Sequence, residues 1–551
     1  DQNLFDPDSR GALANPPDAR WRGAFEEGGV TIEEVEFVNP SGRRLEPSYL
    51  ITDTRMRIAL EEPIPPGGST VELDIAWSFT IPEHGADRMG RYDSRAGWVY
   101  QLAQWYPRMF VYDDVNGWNP QPYLGQGEFY TEFGDFQVEV TVPRDLIVVA
   151  TGELQNPREV LTQRQRSRLE KARTSAKTVT IRSRNGIGDP ATRPEGSGPL
   201  TWRFEAEDVR DFTWAASKAF IWDAAGWEDV LIMSAYPPEG LSQGGDSQPG
   251  WEMSTQYVRH SISFYSEEFY PYPYPVAINV GGTVGGMEYP MISFCSIDYR
   301  GTSLFGVTDH EFGHMWFPML VQSDERRYFW MDEGLDTFMN YYSNKAYYGE
   351  DARTRTLRLM QPDAIARRMQ SQLGSQPSAT QSDHIVSQAL GFVAYRKPGF
   401  GLVLLRELIL GEERFDSALR TYVERWKYRH PKPSDFFRTI EDAAGEELGW
   451  FWSGWFYETD LLDQAVDSVA VSGNRSAVHL SNQRELVMPA PMQVTYEDGS
   501  STTVTLPVDV WMRSDYHTWR APEGRRIQSV TLDPNRMLPD VDRTNNTWTA
   551  R

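Results

Sequence analysis

The stretch HEFGH, residues 310–314, holds two histidines four positions apart, with a glutamate directly after the first. On an α-helix His310 and His314 stack on one face, close enough to share an ion. Glu311 is turned by about 100° from His310, out of the ligand set but within reach of a water beside the metal. This is the mechanical logic of H-E-x-x-H, in which two imidazoles hold zinc and the glutamate is the general base. The plain alternative is a pair of hydrogen-bonded histidines one helical turn apart. The intervening Glu311, in a chain with only 8 His, favours the metal.

Two histidines leave a catalytic zinc short of the three protein ligands it usually takes. Eighteen residues after His314, the segment YFWMDEGLDTF (328–338) offers Glu333. It opens a helix-prone stretch behind a polar loop, SDERR (323–327), so a helix–loop–helix hairpin would swing it back towards the histidines. Asp332 and Asp336 compete as ligands on spacing alone, and a first-turn glutamate also suits a helix dipole. Asp336 and Asn340 are candidates to orient the histidines through hydrogen bonds.

The rest of the chain bounds the setting. Its 551 residues exceed one compact core and point to several domains. Hydrophobic residues at 40%, with 19 Trp, supply packed cores rather than disorder. A net charge of -24 repels phosphate backbones, so nucleic acid is not an expected partner. A single cysteine, Cys295, permits no intrachain disulfide and no Cys-rich metal site; between Phe294 and Ser296 it reads as a small core residue. No run of 18 apolar residues exists, so no membrane span is expected. The chain opens DQNLFDPD, without Met or a charged-then-apolar leader, so either a signal peptide has been removed or the chain is trimmed; a periplasmic or extracellular location is expected, with a cytoplasmic one as the alternative.

Periodicity divides the chain in three. Residues 1–220 read as β, from alternating segments such as TVELDIAWSFTI (70–81), FQVEVTVP (136–143), LIVVATGEL (146–154) and TVTIRS (178–183). TQRQRSRLEKARTS (162–175) interrupts them as a basic, solvated helical insertion. Residues 221–460 form the second region, helical in period from about 250 onward, with ARTRTLRLMQPDAIARRMQ (352–370) read as one helix. Residues 461–551 alternate again, with a hairpin turn at EDGSS (497–501), and suggest a β-sandwich. The Gly-rich GGTVGG (281–286) lacks a P-loop lysine and the G-x-G-x-x-G order; close backbone approach to a peptide, or an edge-strand turn, explains it better.

HEFGH, eighteen residues, then Glu333 and Gly334 together resemble the gluzincin aminopeptidases of the aminopeptidase N family, whose glutamate usually stands in W-x-N-E-G. Here WMDEG (330–334) has Asp for Asn, and HMWF (314–317) continues with Pro318 and Met319 where Gly-Asn is common. The family's exopeptidase signature, G-x-M-E-N, is matched by GGMEY (285–289), with Tyr289 in place of Asn. The family's Y-x-K-G is matched by AYRKPG (394–399), with Pro398 inserted. The specific motifs cover roughly residues 90–460.

The resemblance implies a multidomain α+β protein: an N-terminal β saddle domain (1–220), a thermolysin-like, mainly α catalytic domain (221–460) and a C-terminal β-sandwich (461–551). It implies a zinc-dependent aminopeptidase with one Zn2+ on His310, His314 and Glu333, and with Glu311 as base. Tyr395 is implied to stabilise the oxyanion, and Glu288 to bind the substrate's free amine, with the backbone at Gly285 and Gly286 pairing with the peptide. A Gln or Glu from the β domain is expected beside the amine, and YQLAQWYPR (100–108) supplies Gln104, with Gln101 as the alternative. The partner is then a peptide with a free N-terminus. The competing readings are a gluzincin of altered specificity, cutting internally or at unusual N-termini, and a catalytically silent binding module.

Overall fold

The computed structural model describes residues 29–39, 41–52, 54–60, 63–83, 88–244 and 247–550; the opening DQNLFDPD lies outside them. The backbone divides into two compact units, one of Asp1–Ser263 with Tyr272–Met315, the other of Phe264–Pro271 with Trp316–Arg551. The order along the chain is sheet-rich, then helix-rich, then sheets again, as the periodicity implies. Among the described residues no helix is long and apolar enough to cross a membrane.

In the first unit, Thr31–Val38 pairs antiparallel with Glu72–Ser78. Further on, a four-stranded sheet runs in the order Ile147–Ala150, Trp214–Ser217, Gly97–Leu102, Gly90–Ser94. The sheet that matters for the site has six strands. Their order is Val179–Arg182, Ile221–Trp227, Val230–Tyr236, Val276–Gly282, Ile292–Ser296 and, at the edge, Gly286–Tyr289. Val276–Gly282 runs parallel to both of its neighbours, and the helix Ser254–Glu268 lies in the crossover that such pairing requires. Because Val179–Arg182 joins Ile221–Trp227, this sheet takes strands from both sides of residue 220.

Three of these strands fall where the period reads as helical, which corrects the expectation for 250–460. The cause is burial. VAINVGG is buried at every position and ISFCS at all but its last, so neither shows the polar–apolar alternation that marks a half-exposed strand. The basic insertion is a helix, Gln163–Arg173, and its start is fixed by Thr162. The Thr162 hydroxyl accepts from the Gln165 amide N–H, while the Gln165 side chain accepts from the Thr162 N–H. Cys295 is fully buried, as expected of a core thiol.

The second unit is built around the helices Trp330–Tyr348, Lys397–Leu404, Glu412–Trp426 and Pro433–Ala444. Glu412–Trp426 buries Phe415, Ala418, Leu419, Tyr422 and Val423, the apolar stripe of a 3.6-residue period. Trp330, at the head of its helix, stacks on Phe437 at an interplanar angle of 7°. The single helix expected over 352–370 is two, Arg355–Leu359 and Pro362–Met369. Pro362 has no N–H to continue the first and is well suited to the first turn of the second. The C-terminal region is two sheets of three and four strands that share one core, with Val478 and Leu480 from one and Met492, Val494 and Val530 from the other. The turn joining Ala490–Tyr496 to Ser501–Leu506 falls at EDGSS, with Gly499 at φ +80°.

Candidate functional site

The HEFGH motif occupies the last turn of the helix Gly301–Gly313, with His314 as its C-cap. The helix is tied into its unit from below: the Ser261 hydroxyl donates to Asp309 at 2.8 Å, and Asn279, from the parallel strand, donates to Thr308 at 3.1 Å. His310 and His314 face each other with their Nε2 atoms 3.4 Å apart and their rings crossed at 73°. Two nitrogens that each sit about 2.0–2.1 Å from a tetrahedral ion lie about 3.4 Å apart. The donor pair therefore fits one zinc without rearrangement.

Glu311 is 4% exposed and its carbonyl accepts from the Ser293 hydroxyl at 3.4 Å. Its carboxylate lies against the edge strand. A Cβ placed on Gly286 would stand 2.5 Å from Glu311 Oε1 and 3.0 Å from Val307 Cγ2, so only glycine allows this approach. Around Gly285 the space within 4 Å of such a carbon is open. GGTVGG ends the strand Val276–Gly282, turns at 283–285 and begins the sheet's edge strand, Gly286–Tyr289.

Glu288 is buried at 3% exposure, and its carboxylate lies within 4.8 Å of that of Glu128, also buried. Glu128 accepts from Arg88 Nη2 at 2.6 Å, and the same guanidinium reaches the Met287 sulfur. Burial works to raise the Glu128 carboxyl pKa, but the Arg88 charge, its hydrogen bond and a hydrogen bond with Glu288 hold it below the usual carboxylate value. Sequence reasoning missed both Arg88 and Glu128. No spacing links GQGEFY (125–130) to GGMEY, and only the fold brings them together.

The two glutamines of YQLAQW have different jobs. The Gln101 side-chain oxygen accepts from the backbone N–H groups of Thr283 and Val284 at 3.1 and 3.4 Å, which holds the Gly-rich turn. Gln104, at φ +49°, donates from Nε2 to the Tyr289 hydroxyl at 2.7 Å. Burial pushes that phenol well above its ordinary pKa, so it stays neutral. Gln104 thus sits on the residue that replaces the family's Asn, one position from Glu288.

Glu333 and Tyr395 belong to the second unit. Glu333 lies in the first turn of Trp330–Tyr348, 4% exposed, between the buried Asp332 and Asp336. The Tyr395 hydroxyl donates to Glu333 Oε1 at 2.6 Å. Asp336 accepts from Asn340 Nδ2 at 3.0 Å, and the same amide donates to the Tyr265 hydroxyl at 3.0 Å. Close helix packing brings Tyr395 and Glu333 together. A Cβ on Gly334 would come within 2.8 Å of the Pro398 ring, and one on Gly399 within 3.1 Å of the Gly334 carbonyl oxygen. The glycines of WMDEG and KPG are what let the two segments touch. Lys397, between Tyr395 and Gly399, is buried and donates to the Glu458 carbonyl at 2.8 Å.

Residues 258–455 match the family described as the Peptidase family M1 domain. The chain is 26% identical over 235 residues to Aminopeptidase M1-C of Oryza sativa subsp. japonica, covering 39% of this chain and 26% of that protein. It is 26% identical over 259 residues to Aminopeptidase 2, mitochondrial, of Saccharomyces cerevisiae, covering 43% and 26%. Legionella pneumophila aminopeptidase A, solved in complex with aspartic acid, superposes with a TM-score of 0.59 at 14% identity over 93% of this chain and 54% of that one. The resemblance read from the motifs therefore holds: the chain carries a peptidase family M1 domain, that of the aminopeptidase N-like proteins. It spans about half the length of the solved relative, and its matched part about a quarter of each of these two curated ones.

Proposed function

We propose that the protein is a zinc-dependent aminopeptidase that hydrolyses the N-terminal peptide bond of peptides. The observation that carries this reading is the 3.4 Å approach of the His310 and His314 Nε2 atoms, beside a buried Glu311 that lies against the edge strand at Gly286. His310, His314 and Glu333 would hold one zinc. When bound, zinc lowers the pKa of a water and polarises a carbonyl oxygen.

The chain's own groups supply the rest. Glu311 takes the proton from the attacking water and returns it to the leaving amine. The Tyr395 hydroxyl, turning its one proton from Glu333 to the substrate, donates to the carbonyl oxygen as negative charge grows there. Glu288 binds the substrate ammonium by a charge-assisted hydrogen bond, which fixes the register so that one residue is removed. Gln104 supports that subsite through Tyr289. The outer edge of Gly286–Tyr289, together with Gly285, suits an extended peptide pairing as an added strand.

A set of aminoacyl-coumarin substrates, each with a free or an acetylated amine, tests the reading with and without a chelator. The aminopeptidase hydrolyses the free-amine set only and loses activity to the chelator. Cleavage of acetylated or internal bonds at similar rates identifies instead a gluzincin of altered specificity, and no metal-dependent turnover of any peptide leaves a binding module.

A further inference from the structure

The basic helix Gln163–Arg173 plays no part in the peptidase reading, yet it covers a cavity of roughly 300 Å3 within the first unit. The cavity floor is one face of the six-stranded sheet. Strand register places Leu231 opposite Val276 and Met233 opposite Ile278, and Trp222 lines the same floor. Val149 and Phe204 close one side. The helix contributes Arg166, Leu169, Glu170 and Arg173, the positions of a single helical face, and only Leu169 among them is apolar. A sheet face this apolar is covered but not filled. Protein interiors hold few voids larger than a water, and this one reaches the lower end of small-molecule sites.

Two features give the cavity a chemistry. Trp222 is 3% exposed, and its indole Nε1–H meets no acceptor among the described residues, an orphan donor on the apolar floor. At the rim stand Arg158, Arg166 and Arg173 against Glu153 and Glu170. Arg173 faces Glu153 at 3.7 Å, and Arg166 donates to the Leu161 carbonyl at 2.6 Å. Among the described residues neither Arg158 nor Arg166 has a carboxylate partner. In a chain of net charge -24, two guanidiniums without counter-ions beside an apolar cavity are complementary to an anion with an apolar tail.

We propose that this cavity binds an amphipathic carboxylate of the medium-chain fatty-acid class. Its tail lies against Phe204, Trp222, Met233 and Ile278, and its head group is held by Arg158 and Arg166. The site is separate from the peptidase residues and does not depend on them. It backs the strand Val276–Gly282, whose Asn279 supports the HEFGH helix.

Calorimetric titration of the full chain with decanoate, octanoate and decyltrimethylammonium, below their micelle concentrations, tests this. Decanoate binds one per chain, and each methylene removed weakens binding about fourfold. The cationic amphiphile does not bind. Arg158→Glu with Arg166→Glu weakens decanoate at least tenfold, and Leu169→Trp, which fills the cavity, abolishes binding. Should these variants not fold, crystals of the unaltered protein soaked with 10-bromodecanoate give the same decision through an anomalous bromine peak between Phe204 and Met233. Absence of that peak, or decanoate binding no tighter than its cationic analogue, overturns the proposal and leaves a packing void.

Discussion

Tyr395 donates a 2.6 Å hydrogen bond to Glu333 from 62 positions further along the chain. A proposed oxyanion donor and a proposed metal ligand are thus fixed to one another, by a helix contact that the glycines at 334 and 399 permit. Tyr395→Phe keeps the ring and removes only the hydroxyl. It is expected to lower kcat about 10²–10³-fold with KM nearly unchanged, because the donor acts where charge develops. Steady-state kinetics on a free-amine substrate checks this; a loss confined to KM would assign the hydroxyl to substrate binding.

Glu311→Gln preserves size and removes the base. Turnover is expected to fall by about 10²–10⁴-fold, the usual range for a positioned acid–base group, while zinc content stays as in the unaltered protein. Full activity in this variant would transfer the base role to another residue.

Gly286→Ala tests the contact between the edge strand and the base. The added methyl would stand 2.5 Å from Glu311 Oε1, with Val307 behind it at 3.0 Å. The carboxylate must move, so kcat falls while thermal unfolding changes little. Wild-type kcat would show that Glu311 has room the structure denies it.

The Arg88–Glu128 pair is buried on both sides. Glu128→Gln leaves a guanidinium without its counter-charge and is expected to destabilise the protein by about 3–5 kcal/mol, whereas replacing both residues with apolar ones recovers much of the loss. The Glu128 carboxyl pKa is held low in the fold, so its stabilisation is present above the ordinary carboxylate pKa and is lost as pH falls through the folded value. Thermal unfolding of single and double variants between acid and neutral pH measures both effects.

Lys397 carries a pH dependence of the same sign, at high pH. Burial pushes its pKa down to about 8 from the ordinary 10.5, because the charged form is desolvated. Between those values the unfolded chain binds the proton that the fold releases, so this contribution to stability rises with pH, is complete above 10.5 and is lost as pH falls through about 8. The shift corresponds to about 3 kcal/mol. Chemical denaturation of wild type against Lys397→Met should diverge across that window; parallel curves would mean that Lys397 titrates normally.

Much of the site was legible because its residues are close in sequence or regularly spaced. HEFGH needs only a helix to bring two imidazoles together, and WMDEG opens the next long helix, Trp330–Tyr348, as its spacing suggests. The three-way order of sheets, helices and sheets followed from periodicity. Buried strands were not legible: VAINVGG and ISFCS have no alternation, and they lie among helical segments. Nor was the Arg88–Glu128 pair, which depends on a fold contact between segments without a shared motif. The choice of Gln104 over Gln101 could not be tied to a partner from spacing. The structure gives Gln101 to the Gly-rich turn and Gln104 to Tyr289.

The central claim is a single zinc gripped by His310, His314 and Glu333, and the metal content of purified protein tests it most directly. Elemental analysis after dialysis should find one zinc per chain in the wild type and in Glu311→Gln, and a large loss in Glu333→Ala and His314→Ala. Zinc retained in full by Glu333→Ala, or zinc absent from the wild type after dialysis against zinc, would contradict the account.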